Sequence, residues 1–204
     1  MRLAIVDYRI NNIGSLVRAV QSCGVDPLIV RHGDEIASVD KIIMPGVGTF
    51  GDGMQKLAEF GFIDSLKRFA LVDRKPILGI CLGMQLFAKR GFELGEYEGL
   101  DFFDFVVEKL HPEKNERLPH IGWNSIEILK ASKLLANVPN NTDFYFVHSY
   151  GIKMKNVGSE CTASSDYADN FAAVIEENNI FGVQFHPEKS FPLGFEVLKN
   201  FLTL

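Results

Sequence analysis

No stretch of the sequence approaches the roughly 20 consecutive apolar residues that cross a bilayer, so no membrane partner is expected. The opening Met1-Arg2-Leu3-Ala4-Ile5-Val6-Asp7 is too short and too soon interrupted for a signal peptide, and reads as a first strand. Basic runs are missing and the net charge is −5. Nucleic acid is therefore not an expected partner. Cysteine is scarce, with Cys23, Cys81 and Cys161 the only three in 204 residues. An odd number, far apart, fits neither a disulfide framework nor metal-ligand spacing. Free thiols in a reducing, cytoplasmic compartment are the expectation, with no metal and no cofactor. There is no internal repeat, low-complexity tract or linker, so residues 1–204 are read as a single domain.

What is present is apolar sequence in short runs, 47% of the chain. Leu3–Val6, Pro27–Val30, Lys41–Met44 and Pro76–Ile80 read as strands buried on both faces. Between them, Leu16, Val17, Ala19 and Val20 repeat at helical spacing and stop at Gly24. Met54, Leu57, Ala58, Phe62, Leu66 and Phe69 predict further helical turns broken near Gly61. A helix over Leu82–Lys89 follows the fourth strand directly. After Gly99 the texture changes, with strands expected over Phe102–Leu110, Ser125–Leu129, Phe144–Val147 and Ile180–Phe185, then a helix over Leu193–Phe201. This order predicts an α/β fold: a doubly wound, mainly parallel sheet with helices on both faces and an antiparallel extension in the C-terminal half.

Three motifs carry chemistry. Gly79-Ile80-Cys81-Leu82-Gly83 joins a buried strand to a helix through a nucleophile-elbow pattern with cysteine in place of serine. Such a turn holds the sulfur out at the carboxyl end of the sheet. The helix start behind it favours the thiolate and presents free N–H groups. A buried core cysteine between packing glycines would leave the same pentapeptide. The second motif is Gln184-Phe185-His186-Pro187-Glu188-Lys189-Ser190. Extended backbone before Pro187 is expected to set His186 and Glu188 on one face. The carboxylate would fix the imidazole's tautomer, and the imidazole would deprotonate Cys81. A zinc deaminase has its His-x-Glu before a Cys pair, the reverse of the order here. The third is Met44-Pro45-Gly46-Val47-Gly48-Thr49-Phe50-Gly51, which lacks the ending of a phosphate loop. It suits an oxyanion hole, with one N–H from Val47 and another from Leu82.

Together these stretches resemble the class I (triad) glutamine amidotransferases over nearly the whole chain. More narrowly they are similar to the glutaminase subunits of imidazole glycerol phosphate synthases, in histidine biosynthesis. Pro119-His120-Ile121-Gly122-Trp123-Asn124 and Phe146-Val147-His148-Ser149-Tyr150 complete the set. The resemblance implies that Cys81 forms a thioester with glutamine, that His186 moves the protons and that Glu188 orients His186. It implies substrate binding by Gly46, Gln85, Ser149 and Tyr150. It also implies that His120, Trp123, Asn124, Tyr145 and Lys189 face a synthase or cyclase subunit built as a β/α barrel, in a heterodimer. The family's Asp-Tyr-Gly-x-Gly-Asn stands here as Asp7-Tyr8-Arg9-Ile10-Asn11-Asn12, and Asp104 stands where the family tends to have glycine. Two alternatives remain at this point. One is a paralogue supplying ammonia to another synthase, such as a sugar amidotransferase of surface polysaccharide synthesis. The other is a catalytically silent binding or regulatory subunit.

Overall fold

A computed structural model describes residues 1–10, 12–112 and 116–204. In chain order the elements begin β1 Leu3–Val6, α1 Ile13–Ser22, β2 Leu28–Val30, β3 Lys41–Gly46, α2 Phe50–Glu59, α3 Phe62–Lys67, β4 Ile77–Cys81 and α4 Leu82–Gln85. Then come β5 Ala88–Gly91, β6 Tyr97–Glu98, β7 Phe103–Lys109, β8 His120–Ile128, β9 Thr142–His148 and β10 Tyr150–Gly151. The chain closes with β11 Cys161–Tyr167, β12 Asp169–Glu177, β13 Ile180–Val183 and α5 Leu193–Thr203.

Among the described residues, nine strands form one sheet in the order β2-β1-β3-β4-β13-β12-β11-β8-β9. Pairing is parallel from β2 through β13 and antiparallel from there to β9. The parallel strands alternate their side chains between two cores. Ala4, Val6, Ile42 and Met44 pack with Leu57, Phe62 and Leu66 of α2 and α3 on one face. Leu3, Ile5, Ile43 and Leu78 pack with Leu16, Val20, Val197 and Phe201 of α1 and α5 on the other. Helices on both faces and an antiparallel C-terminal extension are thus the observed arrangement.

Local signals explain several boundaries. Gly24 takes φ +86° just past α1, and Gly61 takes φ +68° between α2 and α3, a conformation that glycine adopts without a Cβ penalty. Thr49 starts α2, its hydroxyl accepting the Asp52 N–H at 3.2 Å. Buried Lys41 donates from Nζ to the carbonyls of Phe201, Leu202 and Leu204, tying the end of α5 to β3.

The expected helix Leu82–Lys89 is corrected. It stops at Gln85, and Ala88–Gly91 forms β5 instead. That strand pairs with β6 and β7 in a second, four-stranded sheet, so tertiary pairing overrides local helical propensity. β8 begins at His120, ahead of the expected Ser125. β11 and β12 are additional to the expected strands. Their polar Thr162, Ser164 and Ser165 are buried by neighbouring strands, which no alternation in the sequence announces.

Candidate active site

Cys81 ends β4 at φ 54° and ψ −112°, a conformation unfavourable for a residue with a Cβ. Backbone crowding holds it there. A Cβ on Gly79 would lie 2.6 Å from the Met84 nitrogen, and one on Gly83 would lie 1.8 Å from the Met44 carbonyl oxygen. The elbow therefore exists only with glycine on both sides. Gly83→Ala should destabilise the fold by ~3 kcal/mol or more, the upper range for overpacking, because backbone rather than a flexible side chain must move. A denaturant midpoint equal to that of the unsubstituted chain would contradict this.

His186 follows β13, and its own backbone is extended, as the following proline requires. Glu188 is not reached by extended chain, as expected from the sequence, but by a 3₁₀ turn over Pro187–Lys189. Pro187 opens that turn, where a missing N–H costs nothing. Glu188 Oε1 sits 2.8 Å from His186 Nδ1, with both side chains almost fully buried. A carboxylate there fixes the proton on Nδ1 and leaves Nε2 as the basic nitrogen of the neutral ring. The segment is clamped: Tyr145 N–H donates to Ser190 Oγ at 2.9 Å, and Ser190 Oγ donates to the His186 carbonyl at 2.7 Å. His186 Nε2 is buried with no hydrogen-bond partner among the described residues. Burial opposes charge on the ring, but the Cys81 sulfur and then Glu188 outweigh it, so the imidazole is held well above its ordinary basicity.

Beside Cys81 lies a cavity of about 160 Å³, whose wall includes Val47, Leu82, Gln85, Ser149 and Tyr150. Gly46 is the register partner of Cys81 and lies behind this wall, packed so tightly that a Cβ would sit 2.2 Å from the Tyr8 hydroxyl. Leu82 is the first residue of α4, so its N–H has no partner within that helix. The Val47 N–H donates to the Ile10 carbonyl at 3.2 Å and is thus engaged outside the cavity. Arg9, next to Ile10, carries φ 71°, the strained conformation expected where the family has glycine. The second departure, Asn11, lies outside the described residues.

Two residues of the site were missed in the sequence. Glu93 lines the cavity and accepts the Phe50 N–H at 3.0 Å, and burial raises its carboxyl above the usual range. Gln184 is fully buried with its Nε2 3.6 Å from Cys81 Sγ. No local pattern marks the first; the second sits inside the His186 motif without a role being visible there.

The residues expected to face a partner divide by strand alternation. Trp123 is 55% exposed on one face of β8, its ring edge-on to Tyr145 of β9, and Lys189 Nζ lies 5.4 Å over the Tyr145 ring. His120 and Asn124 project from the opposite face. His120 is buried, stacked on Tyr167 at 3.9 Å, and burial holds it uncharged by lowering its pKa to about 4. Asn124 donates from Nδ2 to Ser165 Oγ and the Asp166 carbonyl, both at 3.1 Å. His148 is likewise neutral, its pKa lowered to about 3 chiefly by burial, and its Nδ1 lies 2.9 Å from the Tyr150 carbonyl. Among the described residues no helix is long and apolar enough to cross a membrane.

Residues 4–204 match the family described as glutamine amidotransferase class-I. Imidazole glycerol phosphate synthase subunit HisH 1 of Campylobacter jejuni (strain RM1221) is 44% identical over 99% of this chain and 100% of its own length. Subunit HisH of Pelagibacter ubique is 39% identical, covering 100% of both chains. Among solved structures, PurLQS from Thermotoga maritima superposes with a TM-score of 0.75 at 18% identity, covering 99% of this chain and 97% of that one. A putative GMP synthase protein from Thermoplasma acidophilum gives 0.74 at 21%, covering 100% and 92%. At such identities these likenesses speak for the fold.

Proposed function

The chain belongs to the class I glutamine amidotransferases, and from that premise we propose that it hydrolyses glutamine to glutamate and ammonia as the glutaminase subunit of an imidazole glycerol phosphate synthase. The observation that carries this reading is the buried His186, fixed at Nδ1 by Glu188 at 2.8 Å and raised in basicity by the Cys81 sulfur.

The Cys81 thiolate attacks the carboxamide carbon of glutamine, and the carbonyl electrons move onto oxygen. The Leu82 N–H, joined by that of Val47 when its peptide is turned inward, receives this oxyanion. As the tetrahedral centre collapses, the C–N bond breaks and His186 passes its proton to the departing nitrogen, which leaves as ammonia. A thioester remains. His186 then takes a proton from water, hydroxide adds to the thioester carbon, and glutamate departs as the C–S bond breaks. Glu188 orients the imidazole through both halves. Gln85, Ser149 and Tyr150 hold the substrate, with Gly46 backing the cavity wall, and the Glu93 carboxylate supplies a counter-charge for its α-ammonium group. The whole chain, residues 1–204, acts as one such domain, in a cytoplasm that keeps Cys23, Cys81 and Cys161 free.

Ammonia at neutral pH is mostly protonated and no longer nucleophilic, so it must pass to its acceptor by a shielded path. The acceptor chemistry sits on a synthase (cyclase) subunit, a β/α barrel docked on the exposed β8–β9 face. Trp123, Tyr145 and Lys189 meet that subunit directly, while His120 and Asn124 brace the face from behind. Reconstitution with candidate synthase subunits, measuring glutamine-dependent product, tests the assignment. Trp123→Ala and Lys189→Ala should uncouple the two reactions, giving more glutamate per molecule of product. A ratio that stays near one in both, with partner affinity unchanged, would move the interface elsewhere.

A further inference from the structure

Gln184 follows β13 and has no exposed surface. Its orientation is set by a chain of obligate partners. The Tyr150 carbonyl can only accept a hydrogen bond, so the end of Gln85 that lies 2.7 Å away must be its NH₂ group. That same NH₂ meets Gln184 at 3.0 Å, and the atom facing it must be the oxygen, Oε1. The NH₂ of Gln184 is then the end that faces Cys81 Sγ, at 3.6 Å. Reversing Gln184 alone would oppose two NH₂ groups. Reversing both amides would oppose the Gln85 oxygen to the Tyr150 carbonyl oxygen. Neither alternative satisfies the buried groups.

Besides His186, the sulfur thus faces a carbonyl acceptor at Val147 and an N–H donor at Gln184. As a thiol it donates to the Val147 carbonyl, 3.8 Å away. As a thiolate it loses that bond and keeps the Gln184 N–H. Hydrogen bonds to a charged acceptor are about twice as strong as neutral ones, and low local dielectric strengthens them further. The Gln184 donor therefore discriminates between the two protonation states, whereas Val147 favours the thiol. We propose that Gln184 is a catalytic residue: its side-chain N–H holds Cys81 as an aimed thiolate, with Gln85 and the Tyr150 carbonyl fixing the direction of that N–H. In the activating step the S–H bond breaks and the proton moves to His186 Nε2. In the last step the same N–H stabilises sulfur as it leaves glutamate. The inference rests on Cys81 being the glutaminase nucleophile.

Gln184→Met keeps the side-chain length and removes the donor; Gln184→Glu replaces it with an acceptor. In the reconstituted complex, Gln184→Met should lower kcat about 10- to 100-fold, the worth of one charge-assisted hydrogen bond, while the KM for glutamine changes little. Alkylation of Cys81 by iodoacetamide, followed on its own peptide so that Cys23 and Cys161 do not interfere, should shift to higher pH in the variant, and further in Gln184→Glu. A folded Gln184→Met with unchanged kcat and an unchanged alkylation profile overturns the proposal, even if its stability falls. Should the variants not fold, the unsubstituted chain still decides. In ¹⁵N-glutamine-labelled protein one side-chain amide should move as Cys81 titrates and stay still in Cys81→Ala. No such amide means no such bond. Persistent hydrolysis in Cys81→Ala would instead remove the glutaminase reading itself, a separable result.

Discussion

Cys81→Ala should abolish glutamine hydrolysis while leaving synthesis from supplied ammonia intact in the reconstituted complex. A thioester needs a thiol, and among the residues lining the cavity only Cys81 carries one; Ser149 and Tyr150 bring hydroxyls. Alanine removes only the side-chain sulfur and keeps the Cβ, so the elbow and the partner face stay in place. His186→Ala should cost several orders of magnitude, as loss of a triad member does. Glu188→Gln should cost less, because an amide can still accept from Nδ1–H while losing the charge that supports the imidazolium. Glutaminase activity that survives undiminished in Cys81→Ala would sink the whole assignment, and loss of ammonia-dependent synthesis would show that the substitution damages the complex.

The second large effect is stimulation by the partner. The isolated chain should hydrolyse glutamine weakly, and activity should rise about 100- to 1,000-fold when the synthase subunit holds its acceptor substrate, the range set by one oxyanion donor. The Val47 N–H is occupied by the Ile10 carbonyl, which leaves Leu82 as the donor available at rest. The peptide that carries this N–H joins Gly46 to Val47, and Gly46 brings no Cβ to restrict rotation on its side. Turning it exchanges one hydrogen bond of ~1 kcal/mol for another, a change within reach of the binding energy of the proposed partner. Comparing kcat for the isolated chain, the complex, and the complex with acceptor measures this. Full activity in the isolated chain would show that the resting geometry already supplies both donors.

The division of the residues expected to face a partner is legible in principle. Period-two alternation along β8 puts Ile121 and Trp123 on one side and His120 and Asn124 on the other. A strand that starts only at Ser125 hides it, because the five residues that carry the pattern then fall outside the strand. Glu93 is not legible. It sits in an irregular stretch between β5 and β6, and β5 itself looks like the tail of a helix. Its approach to the cavity depends on that second sheet.

By itself the sequence determined the alternating strands and helices, the cysteine elbow between two crowded glycines and the His186–Glu188 pair. These are local matters, because period, turn sterics and a two-residue spacing act within a few bonds of the chain. Only the tertiary structure decided that Gln85, Gln184 and the Tyr150 carbonyl form one oriented chain ending on sulfur, and that the Val47 N–H rests on Ile10. These contacts join residues far apart in sequence. Their meaning lies in which end of an amide faces which atom, a direction that burial and mutual satisfaction impose and that residue identity does not encode.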